Sequence, residues 1–74
     1  MQSNEAVRTI MKEQGVGLTK LSERMDKGVS VISERLRQSN ISVKNLREIL
    51  RALDYRIVII PRDVSIPKGG YEIE

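Results

Sequence analysis

The side chains best suited to chemistry in this 74-residue sequence are basic, and they are concentrated in its middle. Lysine and arginine at such density attract polyanions, because they neutralise phosphate charge and release bound counterions. The whole chain has 13 Lys and Arg against 10 Asp and Glu, a net charge of +3 and a pI near 9.6. The same charge is also typical of an ordinary soluble surface, so charge alone leaves both interpretations open. Residues 18–44 contain three acids and the bases Lys20, Arg24, Lys27, Arg35, Arg37 and Lys44.

The charge is unevenly distributed along the chain. Residues 1–62 have 12 bases and 7 acids, a net charge of +5, whereas residues 63–74 have only Lys68 against Asp63, Glu72 and Glu74, a net charge of −2. The acidic end therefore masks part of a more strongly basic body.

Residue types that the chain lacks exclude several kinds of site. It has no Cys and no His. Disulfides, redox motifs, thiolate nucleophiles and the usual zinc sites all need one of these residues, and the commonest general base is His. We therefore expect no enzyme activity, no metal site and no cofactor.

Two features predict a soluble, intracellular protein with no membrane partner. The longest apolar run, residues 57–60, is four residues long. A bilayer-spanning helix needs about 20. The N-terminus also lacks the basic stretch and apolar core of a signal peptide.

Apolar spacing predicts four helices that must position the basic side chains: residues 4–14, 19–25, 29–38 and 42–54. Gly15 is expected to end the first helix in a left-handed conformation, and Thr19 to cap the N-terminus of the second. Ser42 is expected to cap the fourth, with Ile41 and Leu46 as a hydrophobic staple.

A tight turn at residues 26–28 separates the second and third helices. Two short helices joined so closely must cross steeply, which is the helix-turn-helix arrangement. Within the third helix, Val29, Ile32 and Leu36 are expected to face inward. The outward side is expected to consist of Ser30, Ser33, Glu34 and Arg37.

From Tyr55 the apolar period changes to two, which predicts a strand at residues 55–60 that ends at Pro61. Residues 71–74 alternate in the same way, which predicts a second strand. The expected fold is therefore mainly α: a four-helix domain at residues 1–54, followed by a C-terminal β-strand or hairpin within residues 55–74.

Residues 18–25 and 29–36, with the turn between them, resemble the helix-turn-helix of Cro and lambda-repressor type (XRE-like) regulators. Residues 40–55 are similar to the next helix of small phage and mobile-element members, which often continue into a short β-segment. The resemblance covers residues 4–61. It implies a lambda-repressor-like DNA-binding domain in a transcription regulator, with repression as the favoured mode. It also implies a cytoplasmic, nucleoid-associated protein of a bacterial or phage-infected cell.

Two positions depart from the family pattern. Asp26 stands where the family usually has Gly, and Asp takes a left-handed angle at a cost. Glu34 places an acid on the side expected to face DNA.

The resemblance implies that the third helix reads base edges in the major groove. Arg37 would bind guanine with two hydrogen bonds, Glu34 would accept one from a cytosine amino group, and Val29 would pack on a thymine methyl group. The alternatives are that Val29 belongs to the core and that Glu34 and Arg37 pair with each other. The full set of base-reading candidates is Val29, Ser30, Ser33, Glu34 and Arg37.

The candidates for phosphate contacts surround this helix. Helix N-termini present free N–H groups and a positive dipole end, which favour phosphate oxygens. For Thr19 and Ser42 the alternative is capping alone, and the two roles are compatible. The candidates are Thr19, Lys20, Lys27, Asn40, Ser42 and Lys44.

The resemblance also implies a homodimer on a pseudo-palindromic double-stranded operator, because two recognition helices about 34 Å apart read adjacent turns of DNA. The apolar strand supplies a motive, since its exposed edges would be a liability in a monomer. The alternative is that residues 71–74 fold back as an intrachain hairpin. The dimerisation candidates are Tyr55, Ile57, Val58, Ile59 and Ile60. A rival function is an antitoxin-like or pure protein-interaction module that uses the same fold and the acidic tail to bind a partner protein.

Overall fold

The computed structural model describes all residues, 1–74, and contains four α-helices and no β-strand. The helices are α1 (Ser3–Gln14), α2 (Leu18–Met25), α3 (Val29–Arg37) and α4 (Val43–Ala52). All four helices expected from the apolar spacing are therefore present, with small differences at their ends. No helix is long and apolar enough to cross a membrane.

The core lies where α2 packs on α3 and α4, and where α1 packs on α3 and α4. Leu21, Ile32 and Ile49 have no exposed surface, because the inward stripes of three different helices meet at these positions. Burial of such apolar side chains is the main favourable contribution to folding. The buried apolar cluster consists of Val7, Ile10, Met11, Val16, Leu21, Ile32, Leu36, Ile41, Leu46, Ile49, Leu50 and Leu53.

The expected helix ends are confirmed at two places and wrong at one. Gly15 ends α1 with φ 67°, and Ser42 caps α4 by accepting the Asn45 N–H at 3.3 Å. Thr19 is not the cap of α2, because that helix begins at Leu18 with Gly17 in the capping position.

The start of α1 holds the end of α3 and the loop that follows it. The side chains of Asn4 and Arg8 donate to the carbonyl oxygen of Leu36 at 3.2 and 3.1 Å. The buried Ser3 hydroxyl donates to the carbonyl oxygen of Ser39 at 3.2 Å and accepts the Ile41 N–H at 2.8 Å. These bonds satisfy polar groups at a helix end that would otherwise lack partners.

The turn between α2 and α3 depends on one left-handed residue, Asp26, with φ 53° and ψ 45°. Its N–H donates to the Glu23 carbonyl at 3.2 Å, and the Lys27 N–H donates to the Ser22 carbonyl at 3.1 Å. Gly28 has φ −66° and ψ 149° and precedes α3, so it does not provide the left-handed turn residue. The aspartate thus occupies a conformation that favours glycine.

We expect Asp26→Gly to raise the free energy of unfolding by a few tenths to about 1 kcal/mol, because the left-handed angle is less costly for glycine than for aspartate. Thermal unfolding followed by circular dichroism measures this as a rise of a few degrees in Tm. The matched control is Gly15→Ala, which puts a Cβ at φ 67° where no atom lies within 4 Å and should lower Tm through the backbone alone. An Asp26→Gly protein that melts at or below the parent temperature would contradict this account.

The expected C-terminal strand and hairpin are wrong. Residues 55–60 are irregular and form no ladder with any other part of the chain. Tight turns follow, where the Val64 N–H donates to the Pro61 carbonyl and the Gly70 N–H to the Pro67 carbonyl. We call residues 56–74, which extend beyond the last packed helix, the C-terminal arm.

The end of the C-terminal arm makes its backbone hydrogen bonds with the first residue of the chain. The Met1 amino group donates to the Glu72 carbonyl at 3.3 Å, and the Glu74 N–H donates to the Met1 carbonyl at 3.0 Å. The Tyr71 hydroxyl donates to the Glu13 carboxylate on α1. Residues 71–74 therefore lie beside α1 and do not form a hairpin with residues 55–60.

Candidate nucleic-acid interface

The outward face of α3 is polar, as its spacing predicts. Ser30, Glu34 and Arg37 are exposed and Ser33 is half-buried. Ile32 and Leu36 anchor the opposite side of α3 in the core, which fixes the rotation of the helix about its axis. Four of the five base-reading candidates therefore follow one another along one solvent-facing surface.

Val29, the fifth candidate, is not in the core: 41% of its surface is exposed. The inward position expected for it is wrong: Val29 is the first residue of α3, no earlier turn of that helix covers it, and the buried cluster takes only Ile32 and Leu36 from α3. Val31 is 43% exposed and was missed as a candidate. The signal for it was its place directly before Ile32, since adjacent helix residues are about 100° apart around the axis.

Glu34 and Arg37 pair with each other, which was the alternative left open for them. The Arg37 Nη1 lies 3.6 Å from the Glu34 Oε2, and the two side chains are 75% and 68% exposed, respectively. Pairs this exposed contribute about 0–1 kcal/mol, so the ion pair does not prevent Arg37 from binding another anion.

The phosphate candidates are all exposed, and four of the six lie within seven residues of an end of α3 in the chain. Lys27 lies in the turn before this helix, and Asn40 lies in the loop after it. Ser42 and Lys44 follow at the start of α4, where Ser42 is the N-cap. Thr19 and Lys20 are in the first turn of α2, near the free N–H groups of that helix end.

A further ion pair fixes α3 against α4. The Arg35 Nη1 lies 2.9 Å from the Glu48 Oε2, with the arginine side chain only 17% exposed. The hydrogen bond from Arg35 is the largest influence on the pKa of Glu48 and lowers it below its ordinary value. Desolvation raises the pKa, and the positive charges of Arg35, Lys27 and Lys44 lower it further, so the net shift is downward. Glu48 is therefore neutralised by Arg35, and the role of Arg35 is to hold α3 against α4.

Two other bases serve as caps of helix ends. Arg8 donates to the last turn of α3. Arg24 donates to the Ala52 carbonyl at 3.1 Å, at the end of α4. Cations near the C-terminal end of a helix stabilise its dipole. The bases left without a structural partner include Lys20, Lys27 and Lys44, which are phosphate candidates.

The dimerisation candidates are mostly exposed, and all of them except Tyr55 lie on the C-terminal arm. The exposed fractions of Ile57, Val58, Ile59 and Ile60 are 40%, 54%, 98% and 39%. Tyr55 is instead half-buried, and its hydroxyl donates to the Gly69 carbonyl at 3.2 Å. A cleft of about 610 Å³, lined mainly by apolar side chains, lies between the arm and a surface that includes Ala6 and Leu50.

No protein-family model matches this chain, and no curated protein or solved structure matches it either. No group of three or more Asp or Glu side chains is placed to hold a metal ion.

Proposed function

We propose that the protein is a transcription regulator that binds double-stranded DNA sequence-specifically and acts as a repressor. In this proposal α3 enters the major groove and two copies bind a pseudo-palindromic operator. The observation that carries the proposal is the outward face of α3, which is polar, solvent-facing and set directly after a tight turn from α2.

Sequence would be read by α3. Arg37 is 75% exposed and its only partner is the weak pair with Glu34, so its guanidinium is free to donate two hydrogen bonds to a guanine. Glu34 has the carboxylate to accept from a cytosine amino group, which gives a role to an acid on a DNA-facing helix. Ser30 and Ser33 have hydroxyl groups that donate to or accept from any base edge.

Affinity would come from the phosphate candidates, which precede and follow α3 in the chain. Lys20, Lys27 and Lys44 have no ion-pair partner within the chain. The N-terminal ends of α2 and α4 add free N–H groups and a positive dipole end. These contacts set the position of α3 in the groove but carry no sequence information of their own.

A second copy would bind through the apolar side chains of residues 57–60. One recognition helix reads only a few base pairs, whereas a two-fold dimer places two such helices on one operator. The exposed Ile59 and Val58 side chains favour association, because apolar surface removed from water stabilises a complex.

Selection of bound sequences from random DNA, followed by a salt titration, tests the proposal. We expect a linear fall of log affinity with log salt, with a slope of about −0.9 for each phosphate neutralised. Lys27→Gln should make the slope of a dimer shallower by about 2, since each copy loses one contact. Lys68→Gln, in the C-terminal arm, is the matched control and should leave the slope unchanged. Failure to enrich any sequence, with no retention of random DNA at low salt, would refute the proposal.

The exposed apolar side chains of the C-terminal arm also favour a second candidate, a module that binds a different protein. The cleft of about 610 Å³ beside the arm is large enough for several side chains of a partner protein. Co-purification of a defined partner by a chain that retains no DNA in a gel shift would favour this function over regulation.

A further inference from the structure

We infer that Val29 and Val31 read the C5-methyl groups of thymine at two places in the groove. This inference rests on the proposed function, and it adds Val31 as a specificity-determining residue. For Val31 it names the same chemical group, the thymine methyl, that the resemblance implies for Val29.

The starting observation is that the N-terminal turn of α3 exposes two apolar side chains on an otherwise polar surface. Val29 and Val31 are 41% and 43% exposed, whereas the next residue, Ile32, is fully buried in the core. Neither exposed valine is needed to fill the core, because the buried cluster contains neither of them. Their apolar surface is available to a ligand.

The major groove contains one kind of apolar group. Base edges there present hydrogen-bond donors and acceptors, and only the C5-methyl of thymine is apolar. A valine placed in the groove therefore gains by packing on that methyl group, and it loses by desolvating a donor or acceptor that it cannot satisfy. The preferred base beside each valine is thymine.

The two valines would contact different base pairs. Residues two apart on a helix are separated by about 200° around its axis. Val29 and Val31 consequently lie on opposite flanks of Ser30, and one base cannot touch both. The position of both residues in the first turn suits this role, since the N-terminal residues of a recognition helix are those that contact base edges.

The surroundings favour DNA over a protein partner as the occupant of this surface. Ser30 separates the two valines, and Glu34 and Arg37 continue the polar surface along α3. An apolar interface core would instead need contiguous apolar side chains. Two isolated isopropyl groups among hydrogen-bonding side chains match isolated methyl groups among base-edge donors and acceptors.

The experiment uses the full chain and the DNA it enriches from a random pool. Each thymine of the selected site is replaced in turn by deoxyuridine, which removes only the methyl group. We expect substitution at two positions of each half-site to weaken binding by about fourfold for each methyl group removed. Val31→Ala should bind the thymine site about as weakly as the parent chain binds a site with deoxyuridine at the matching position of both half-sites, and should no longer distinguish thymine from deoxyuridine at that position. Val29→Ala should do the same at the other position.

These variants should stay folded, because both positions are exposed and alanine has the higher helix propensity. Val43→Ala is the matched control: Val43 is 69% exposed in the first turn of α4, and its loss should leave every thymine-to-deoxyuridine ratio unchanged. Selected DNA that binds equally well with thymine and deoxyuridine overturns the inference while the proposed function stands. The same holds if Val31→Ala keeps the full deoxyuridine penalty at both positions. A chain that enriches no DNA refutes both.

Discussion

Replacing Arg37 with alanine is expected to remove about 1–3 kcal/mol of preference for the selected DNA site from each recognition helix, or about 2–6 kcal/mol from a dimer. The loss should be specific, with binding to random DNA almost unchanged. Arg37 is 75% exposed and makes only a weak pair with Glu34, so its removal costs the folded chain little. Its contribution would be made in the complex, where a guanidinium binds both acceptors of a guanine.

The measurement is a pair of binding titrations, one with the selected site and one with random DNA, at a single stated salt concentration. Arg47→Ala is the matched control, because Arg47 is an exposed arginine on α4 with no ion-pair partner. It should change both affinities equally or not at all. The assignment of α3 as the reading helix is wrong if Arg37→Ala and Ser33→Ala both preserve the ratio of the two affinities.

The four helices were predictable because each carries its own signal in its local sequence. The fourth combines Ser42 as a cap, the staple of Ile41 and Leu46, and a regular apolar stripe, and it begins one residue after the cap as expected. The left-handed Asp26 was also foreseeable, since a tight turn leaves few residues that tolerate such an angle. Neighbouring residues suffice to predict a helix because its backbone hydrogen bonds form within the same segment.

The C-terminal arm was not predictable by the same means. Alternation of apolar residues describes the two faces of an extended segment, but a strand also needs a partner for its N–H and C=O groups. The candidate partner, residues 71–74, instead bonds with Met1, about 70 positions away in the chain. No periodicity within residues 55–74 reports on that long-range contact.

The candidate interface was predictable from the sequence in part. Spacing identified the outward side of α3, because Ile32 and Leu36 mark its inward side. It misplaced Val29 and omitted Val31, because an apolar residue type does not by itself distinguish a buried helix position from an exposed one. Exposed valines become informative only when the neighbouring helices show that nothing covers them.

Replacing Ile59 with lysine is expected to convert a dimer to monomer and to lower operator affinity by at least about 100-fold. Ile59 is 98% exposed, so the single chain loses no packing when it is changed. Burying such a side chain at an interface contributes about 1.5–3 kcal/mol, and a two-fold axis repeats the contribution. A buried, unpaired ammonium group adds a further penalty. Each monomer would then hold only half of the operator.

Sedimentation equilibrium and operator titration on the same samples measure both effects, with circular dichroism to show that the helices are intact. Val64→Lys is the matched control, because Val64 is 50% exposed in the same arm but lies outside residues 55–60. It should leave both the mass and the affinity unchanged if the interface is confined to those residues. The parent chain should sediment as a dimer at the concentrations at which it binds the operator. If it sediments as a monomer well above those concentrations, the proposed dimer is wrong, because the two copies would then be held together only by the DNA. If the Ile59→Lys chain remains dimeric, the dimer interface lies on another surface, because burying an unpaired ammonium group in the interface would dissociate the dimer.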